Sequence, residues 1–453
     1  MKINKDSIFL KEYRKKMTKI MQQINPDWDS DFIKEEINKL IEERCVSPDV
    51  TLDNNYTHEK RESTLIAVLD WVIDKEPIIC GNATFYKNQH QAVNPIASML
   101  ESFLSNRKMY KKKMFKIGEE FGIDDPRYKD FDLKQGNEKI LSNSYYGASG
   151  APSAAFYSEY SGPATTHSAQ TVISTAEQLF EGFLADNYYF LNMTELLEWC
   201  VKVMTPYTNN EETIHDWIQL QPFPVIIERL LDKIIDREDT DEEILEKFLS
   251  EYSDQELAVL YYKNNLIEFI KDHEIIQSLI LSVFENVDNL PYADKNDTDW
   301  FSKIPKEYRD DFVGKSYKDW NNFVNTEYFM DPNKVPDSIR NPVSELSDYF
   351  TQYVYCKYLS FDRIYRLKNF KRKVVTVIDT DSNILSIDTV MNYILDEVVN
   401  GQSFGREYIN NIFIGVNMIA YTLTNIVTDL LLHYGECSNI PEEYRPIYSM
   451  KNE

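Results

Sequence analysis

The sequence runs to 453 residues, 43% of them hydrophobic, with a formal net charge of −25. That apolar content excludes wholesale disorder, and the length accommodates about two to three domain-sized units with a sizeable core. Taken alone, the negative charge argues against nucleic-acid binding, because phosphate contacts need Lys and Arg.

No uninterrupted apolar run reaches the ~18 residues of a membrane helix, so no membrane partner is expected. The opening "MKINKDSIFLKEYRKK" carries charges where a signal peptide needs an apolar stretch, which points to a soluble, intracellular chain. The five cysteines (Cys45, Cys80, Cys200, Cys356, Cys437) are scattered without a CxxC, so reduced core thiols are expected rather than a disulfide framework or a zinc site. No HExxH, Ser-His-Asp or GxxxxGK[ST] pattern is legible. The charge is unevenly spread. Residues 231–300 hold 19 acidic and 6 basic side chains. By contrast, 107–116 ("RKMYKKKMFK") and 363–373 ("RIYRLKNFKRK") each hold six basic residues and no acidic one. Two cationic islands thus stand in an acidic chain.

In chain order, residues 1–44 read as charged, partly amphipathic helix, and 45–95 as mixed structure with a turn-rich "CGNATFYKNQH". Pro95 opens a helix whose apolar residues Ile96, Met99, Leu100, Phe103 and Leu104 share one face. Arg107 and Lys111, four apart, share a face of the same helix. "GIDDPRYKDFD" breaks the pattern around Pro126, and a second helix is predicted over 130–147. On it Lys139, Asn143, Tyr146 and Gly147 fall at i, i+4, i+7 and i+8, again one face. Two such helices make an antiparallel hairpin that could gather Arg107, Lys111 and Lys139 into one cationic cluster.

Residues 165–190 read as helix, and 190–350 as mostly acidic helix with loops near Pro206, Pro291 and Pro332. "VVTVI" and "ILSID" then flank "DTDSN", which predicts a β-hairpin with Asp379 and Asp381 on one side of its tip. Residues 405–433 return to helix. Two carboxylates so spaced suit Mg²⁺, which takes oxygen ligands and keeps several waters, and a pair of such ions ~3.5–4 Å apart would serve in-line phosphoryl displacement. An Arg/Lys cluster would neutralise a triphosphate. Each feature alone has a plainer reading: an ordinary turn for the aspartates, a solvated helix face for the lysines.

Together they carry more. "KILSNSYYG" matches Lys-x3-Asn-Ser-x-Tyr-Gly at every fixed position, from Lys139 to Gly147. That pattern is motif B of the family B DNA polymerases; "DTDS" at 379–382 resembles their motif C, and "FYKNQHQAVNPIASMLESFLSNRKMYKKKMF" resembles their first fingers helix with its Arg-x3-Lys. The resemblance is strongest to bacteriophage-type members. It implies that Arg107, Lys111 and Lys139 hold the triphosphate of an incoming dNTP, that Asn143 lies beside that nucleotide, and that Tyr146 and Gly147 line the nascent base pair. It also implies that Asp379 and Asp381 hold Mg²⁺, Asp381 being the stronger candidate, and that the catalytic set is Asp381, Asp379 and Lys139 acting on primer–template DNA.

Three departures shape the expectation. The family's motif A, Asp-x-x-Ser-Leu-Tyr-Pro-Ser, which supplies a further metal-binding aspartate, is not found; "RCVSPDVTL" at 44–52 resembles the family segment just downstream of that motif. No exonuclease sequence is found, and "IYSMKNE" resembles a palm segment that relatives continue into Lys-Lys-x-Tyr and a thumb. The third is length: 231 residues separate Gly147 from Asp379, and Val377-Ile378 stand where Tyr-Gly is usual.

The expected fold is α+β and helix-rich: a helical fingers hairpin on an incomplete antiparallel palm, with a helical insertion. The expected segments are 1–95, an N-terminal extension and palm segment; 96–147, the fingers hairpin; 148–190, a palm helix; 191–355, an acidic insertion; and 356–453, the motif C palm. The expected function is the middle piece of a split DNA polymerase, in a host cytoplasm or viral replication compartment, with partner chains lending motif A, exonuclease and thumb. The alternative is a catalytically silent, polymerase-derived scaffold. A reverse transcriptase or primase fits poorly, since neither carries this motif B.

Overall fold

The computed structural model describes residues 7–45, 47–54, 57–92, 94–155, 157–236, 240–288, 299–304, 306–317, 335–358, 370–378, 383–399 and 408–447. It is helix-rich, and its strands form three separate two-stranded antiparallel ribbons among these residues. The chain divides into two compact units. The first comprises Met1–Glu12, Arg44–Val172 and Tyr434–Pro446; the second comprises Tyr13–Glu43, Ile173–His433 and Ile447–Glu453.

In the first unit, strands Asp49–Asp53 and Lys60–Thr64 pair from Asp49↔Thr64 to Asp53↔Lys60. Thr64 then caps the helix Leu65–Lys75 by accepting from the Ala67 amide. A tight ribbon pairs Ile78–Ile79 with Phe85–Tyr86. Gly81 beside it lies so near the helix that starts at Ser161 that a Cβ would stand 2.6 Å from the His167 carbonyl oxygen, which explains glycine there.

The helical hairpin comes next, and its ends are written in local chemistry. The Asn94 side chain accepts from the Ile96 amide, with Pro95 at the first helical position, and starts Pro95–Phe121. Gly122 ends it at φ 87°, a value that glycine adopts without penalty. Asp125 caps Pro126–Ser149 by accepting from the Arg127 amide. Pro126 is therefore an opener rather than a breaker, and the second helix begins before the expected residue 130. Tyr110 stacks on Phe131 (centroids 6.3 Å apart), Met114 is buried, and Gly118 admits the Tyr128 ring against the first helix.

The second unit holds a dense core in which Trp199, Phe248, Tyr262, Phe269, Phe284 and Tyr353 are fully buried. Most of these side chains come from the acidic 190–350 stretch. Its short helices bury one face each and leave the charges outside, as in Glu242–Leu249, where Leu245, Phe248 and Leu249 are buried. Pro206 sits inside the helix Met193–Thr208 rather than in the loop expected there, while Pro291 and Pro332 lie outside the described residues. The helix Asp337–Tyr349 runs into a wider turn, Phe350–Val354, closed by a bond from the Tyr355 amide to the Phe350 carbonyl. The buried Lys263 ammonium donates to the Gln352 and Tyr355 carbonyls at 2.6 and 2.9 Å, capping that turn. Burial lowers its pKa to about 8.

The N-terminal region forms two helices, Ile8–Ile24 and Ser30–Arg44, separated near Pro26. Near the other end, Tyr408–Cys437 is one helix. Its portion Asn411–Cys437 is long and apolar enough to span a membrane by length and mean hydropathy (1.3), although 56% of that window is buried in the protein. The sequence expectation missed it because Asn417, Thr422, Asn425 and Asp429 interrupt the apolar runs. Protein groups satisfy some of these: Asn425 donates to Ser347 Oγ at 3.0 Å, and Asp429 accepts from the Tyr355 hydroxyl at 3.0 Å.

Candidate nucleotide-binding site

The first unit carries six of the eight sequence-predicted site residues. Arg107 is half-buried, and its Nε–H donates to Gln135 Oε1 at 3.5 Å, across the hairpin. Gln135 and Lys139 are one turn apart on the second helix, and Asn143 is one turn further. Together with the Tyr110–Phe131 stack, this contact sets the register of the two helices. In that register Lys139 lies about one turn beyond Arg107 along the hairpin, and Lys111 about one turn to the other side, roughly 6 Å each way at 1.5 Å per residue. The three cations thus succeed one another along the hairpin.

Lys111, Lys139, Asn143, Tyr146 and Gly147 all reach solvent. Neighbouring cations are engaged locally: Lys134 with Asp130 at 2.7 Å, which raises the Lys134 pKa, Lys116 with Glu120 at 3.7 Å, and Arg127 both with Asp125 and over the Phe121 ring. Lys111 and Lys139, by contrast, have no carboxylate partner among the described residues. A cation left in water by its own chain keeps its attraction for a phosphate. A Cβ built on Gly147 meets nothing within 4 Å, so packing within the chain does not call for glycine there.

Tyr146 has a partner that sequence reading did not identify. Its hydroxyl lies 2.7 Å from Thr166 Oγ1, and that hydroxyl in turn donates to the Gly162 carbonyl at 3.1 Å. Either hydroxyl of the Tyr146–Thr166 pair can be the donor. Nearby, the Tyr160 hydroxyl donates to Asp53 Oδ2 at 3.1 Å, and the carboxylate pushes the phenol pKa up to about 12.

In the second unit, strands Val375–Ile378 and Asn383–Leu385 pair antiparallel, with Ile378 opposite Asn383. Thr376 forms a bulge between Val375↔Leu385 and Val377↔Ile384, and its hydroxyl donates to the Ile384 carbonyl at 3.0 Å. The stretch between the strands, 379–382, lies outside the described residues, and with it the two expected metal ligands Asp379 and Asp381. Most of the second basic island, 363–369, lies outside them as well. Among the described residues no group of three or more His, Cys, Asp or Glu side chains is placed to hold a metal ion.

Sequence reading also missed the group beneath this ribbon. The helix Ser161–Ala185 carries Glu177 and Glu181 four residues apart in an otherwise uncharged run. Both are buried, and Glu181 accepts backbone N–H bonds from Lys373, Val374 and Val375 at 2.8 to 3.1 Å. Glu177 faces Arg372 at 3.8 Å, with its pKa raised by burial despite that cation.

No curated protein and no solved structure matches the chain. A family of known sequence does: the one described as Divergent Family B DNA polymerase, over residues 3–453. The match spans the helical hairpin, the acidic helices and the strands around 375–385 alike. DNA and nucleotides are the ligands such a family implies, and the chain belongs to the divergent family B DNA polymerases.

Proposed function

We propose that the chain is the catalytic core of a family B DNA polymerase assembled from more than one polypeptide, carrying fingers and part of the palm. The observation that carries this reading is the exposed face Lys139–Asn143–Tyr146–Gly147, with Arg107 held to it through Gln135. Arg107 offers a planar fork to phosphate oxygens, and Lys111 and Lys139 offer point charges that no carboxylate of the described residues neutralises. Asn143 lies beside the incoming dNTP, and Tyr146, held by Thr166, lines the nascent pair. Gly147, whose Cβ position is open within the chain, leaves room for that pair.

Asp379 and Asp381 would hold Mg²⁺. Hard carboxylate oxygens spaced two residues apart fit that ion's preference, and when bound it would offset the charge developing on the transferred phosphoryl group. The primer 3′-hydroxyl attacks the α-phosphate in line. The cationic strip orients the triphosphate and stabilises its charge as the pyrophosphate leaves. In this reading a partner chain contributes a motif A carboxylate, and further partners contribute exonuclease and thumb.

The divergence of the family leaves open a second reading, a silent scaffold of a replication complex. Template-directed incorporation by the reconstituted assembly separates the two. Asp381→Ala and Lys139→Ala are expected each to abolish synthesis while the assembly still forms; unchanged synthesis in both would refute the site assignment.

A further inference from the structure

We propose that Phe115, Lys108 and Lys112 form a site for single-stranded DNA on the helical hairpin, and that its occupant is the unpaired template strand. The template role rests on the polymerase reading; the single-strand site does not. All three residues lie on the helix Pro95–Phe121. At about 100° per residue, positions 108, 112 and 115 fall within about 60° of one another around the helix axis, and they cover about 10 Å along it. This flank is not the one that packs. Tyr110, Met114 and Gly118 meet the second helix, through the Tyr110–Phe131 stack, the buried Met114 side chain and the Tyr128 ring against Gly118. Phe115 is 55% exposed, and Lys108 and Lys112 are exposed as well.

Elsewhere on the hairpin the same kinds of group satisfy one another. Lys113 and Lys134 lie over the Phe131 ring at 5.8 and 5.4 Å, Arg127 lies over Phe121 at 4.0 Å, and Lys116 pairs with Glu120. Among the described residues Phe115 has neither a ring nor a cation against it, and Lys108 and Lys112 have no carboxylate partner. An exposed ring or an exposed lysine alone is ordinary. A bare ring with bare cations one and two turns away on one flank is a different object, because a single strand uses both. Each unpaired base offers a π-face that stacks on a ring whatever its identity, and each phosphate offers an anion to the ammonium groups. A duplex covers its base faces by its own stacking, and an acidic protein surface would use the lysines without the face of the ring. The single strand is therefore the occupant that uses the whole strip. Lys111, one turn before Phe115, joins this flank to the row Arg107, Lys111 and Lys139, so a strand held here runs beside the proposed triphosphate site.

The test is fluorescence anisotropy of the purified full chain with a labelled oligothymidylate and with a fully paired duplex of equal length, between about 50 and 200 mM salt. The variants are Phe115→Ala, Phe115→Leu, Phe115→Trp and the double variant Lys108→Ala with Lys112→Ala. Loss of stacking is expected to weaken oligothymidylate binding about 5- to 100-fold in Phe115→Ala and Phe115→Leu, with Phe115→Trp close to the parent and the salt dependence unchanged. The double lysine variant is expected to weaken binding and to lower the slope of log affinity against log salt by about 1.4, the value for two phosphate contacts on a single strand. Every substitution falls at an exposed position, so thermal unfolding is expected to match the parent. A parent chain that does not bind oligothymidylate, parent-like binding in Phe115→Ala or Phe115→Leu, or an equal loss on the duplex overturns the inference. Failure of the polymerase reading looks different: unchanged synthesis in Asp381→Ala and Lys139→Ala removes the template role, while loss of oligothymidylate binding in Phe115→Ala still upholds the single-strand site.

Discussion

The aromatic core of the second unit and the helical hairpin of the first use their apolar residues in opposite ways. In the second, Phe269 is sealed among Tyr262, Phe350 and Tyr353, with ring centroids 5.4, 6.2 and 5.6 Å away. In the first, the helical hairpin buries Met114 and leaves Phe115, Leu133 and Ile140 more than half exposed. The acidic helices thus form a self-sufficient core, and the basic hairpin is a pair of helices held together by one stripe. Surface left open to solvent on an element is surface available to ligands, and such elements open locally at lower free energy. Charge and core are therefore allotted separately: acid over the packed scaffold, base on the exposed hairpin.

The largest expected break in this comparison is Phe269→Ala, which should destabilise the second unit by about 3–5 kcal/mol, whereas Leu133→Ala in the hairpin should stay within about 0.5 kcal/mol. Denaturant unfolding of both variants checks it, and equal effects would erase the distinction. Next comes Lys139→Ala, expected to lower nucleotide incorporation by the assembly about 100-fold or more, the scale of losing one preorganised charge-stabilising group, with thermal stability unchanged.

A third effect belongs to the core alone. His273 is buried, donates from Nδ1 to the Phe269 carbonyl and accepts the Gln219 amide at Nε2, so its ring is neutral. Burial lowers its pKa. Below the unfolded value of about 6.5 the unfolded chain takes up a proton that the folded chain refuses. Stability is therefore full above that pH and falls as the solution is acidified, by at most about 1.4 kcal/mol per pH unit, until the folded group titrates too. In His273→Gln this component of the pH dependence should vanish; an unaltered slope between about pH 5 and 7 would show that another group is responsible.

The smallest effect is the sharpest probe of the hairpin. Gly147 lies within a helix and its Cβ position is open. If only this chain mattered, Gly147→Ala should stabilise the protein by about 0.5–1 kcal/mol. We expect that gain in thermal unfolding together with reduced nucleotide incorporation. A stabilised variant with full activity would remove Gly147 from the ligand's path.

Features that depend on local periodicity are legible in the amino-acid order. The face shared by Lys139, Asn143, Tyr146 and Gly147 comes from 3.6 residues per turn, and the strands at 375–378 and 383–385 come from β-branched runs flanking turn chemistry. Expectation and structure part where one residue type serves two purposes. Proline opens a helix as readily as it ends one: Pro126 looks like a breaker but stands at a first helical position. Pro206, expected in a loop, is accommodated within a helix. The long helix Tyr408–Cys437 hides its mean hydropathy behind scattered polar residues, several of which the fold satisfies.

The family, the composition of the basic hairpin and the order of motif B along its helix are properties of neighbours along the chain, and residue order fixes them. Whether the acidic stretch forms a core, whether Arg107 meets Gln135, and that Glu181 holds a strand nearly two hundred residues away were settled only by folding. Such contacts depend on the path of the whole chain, and a buried carboxylate looks the same in sequence as a solvated one until the backbone amides that satisfy it are in place.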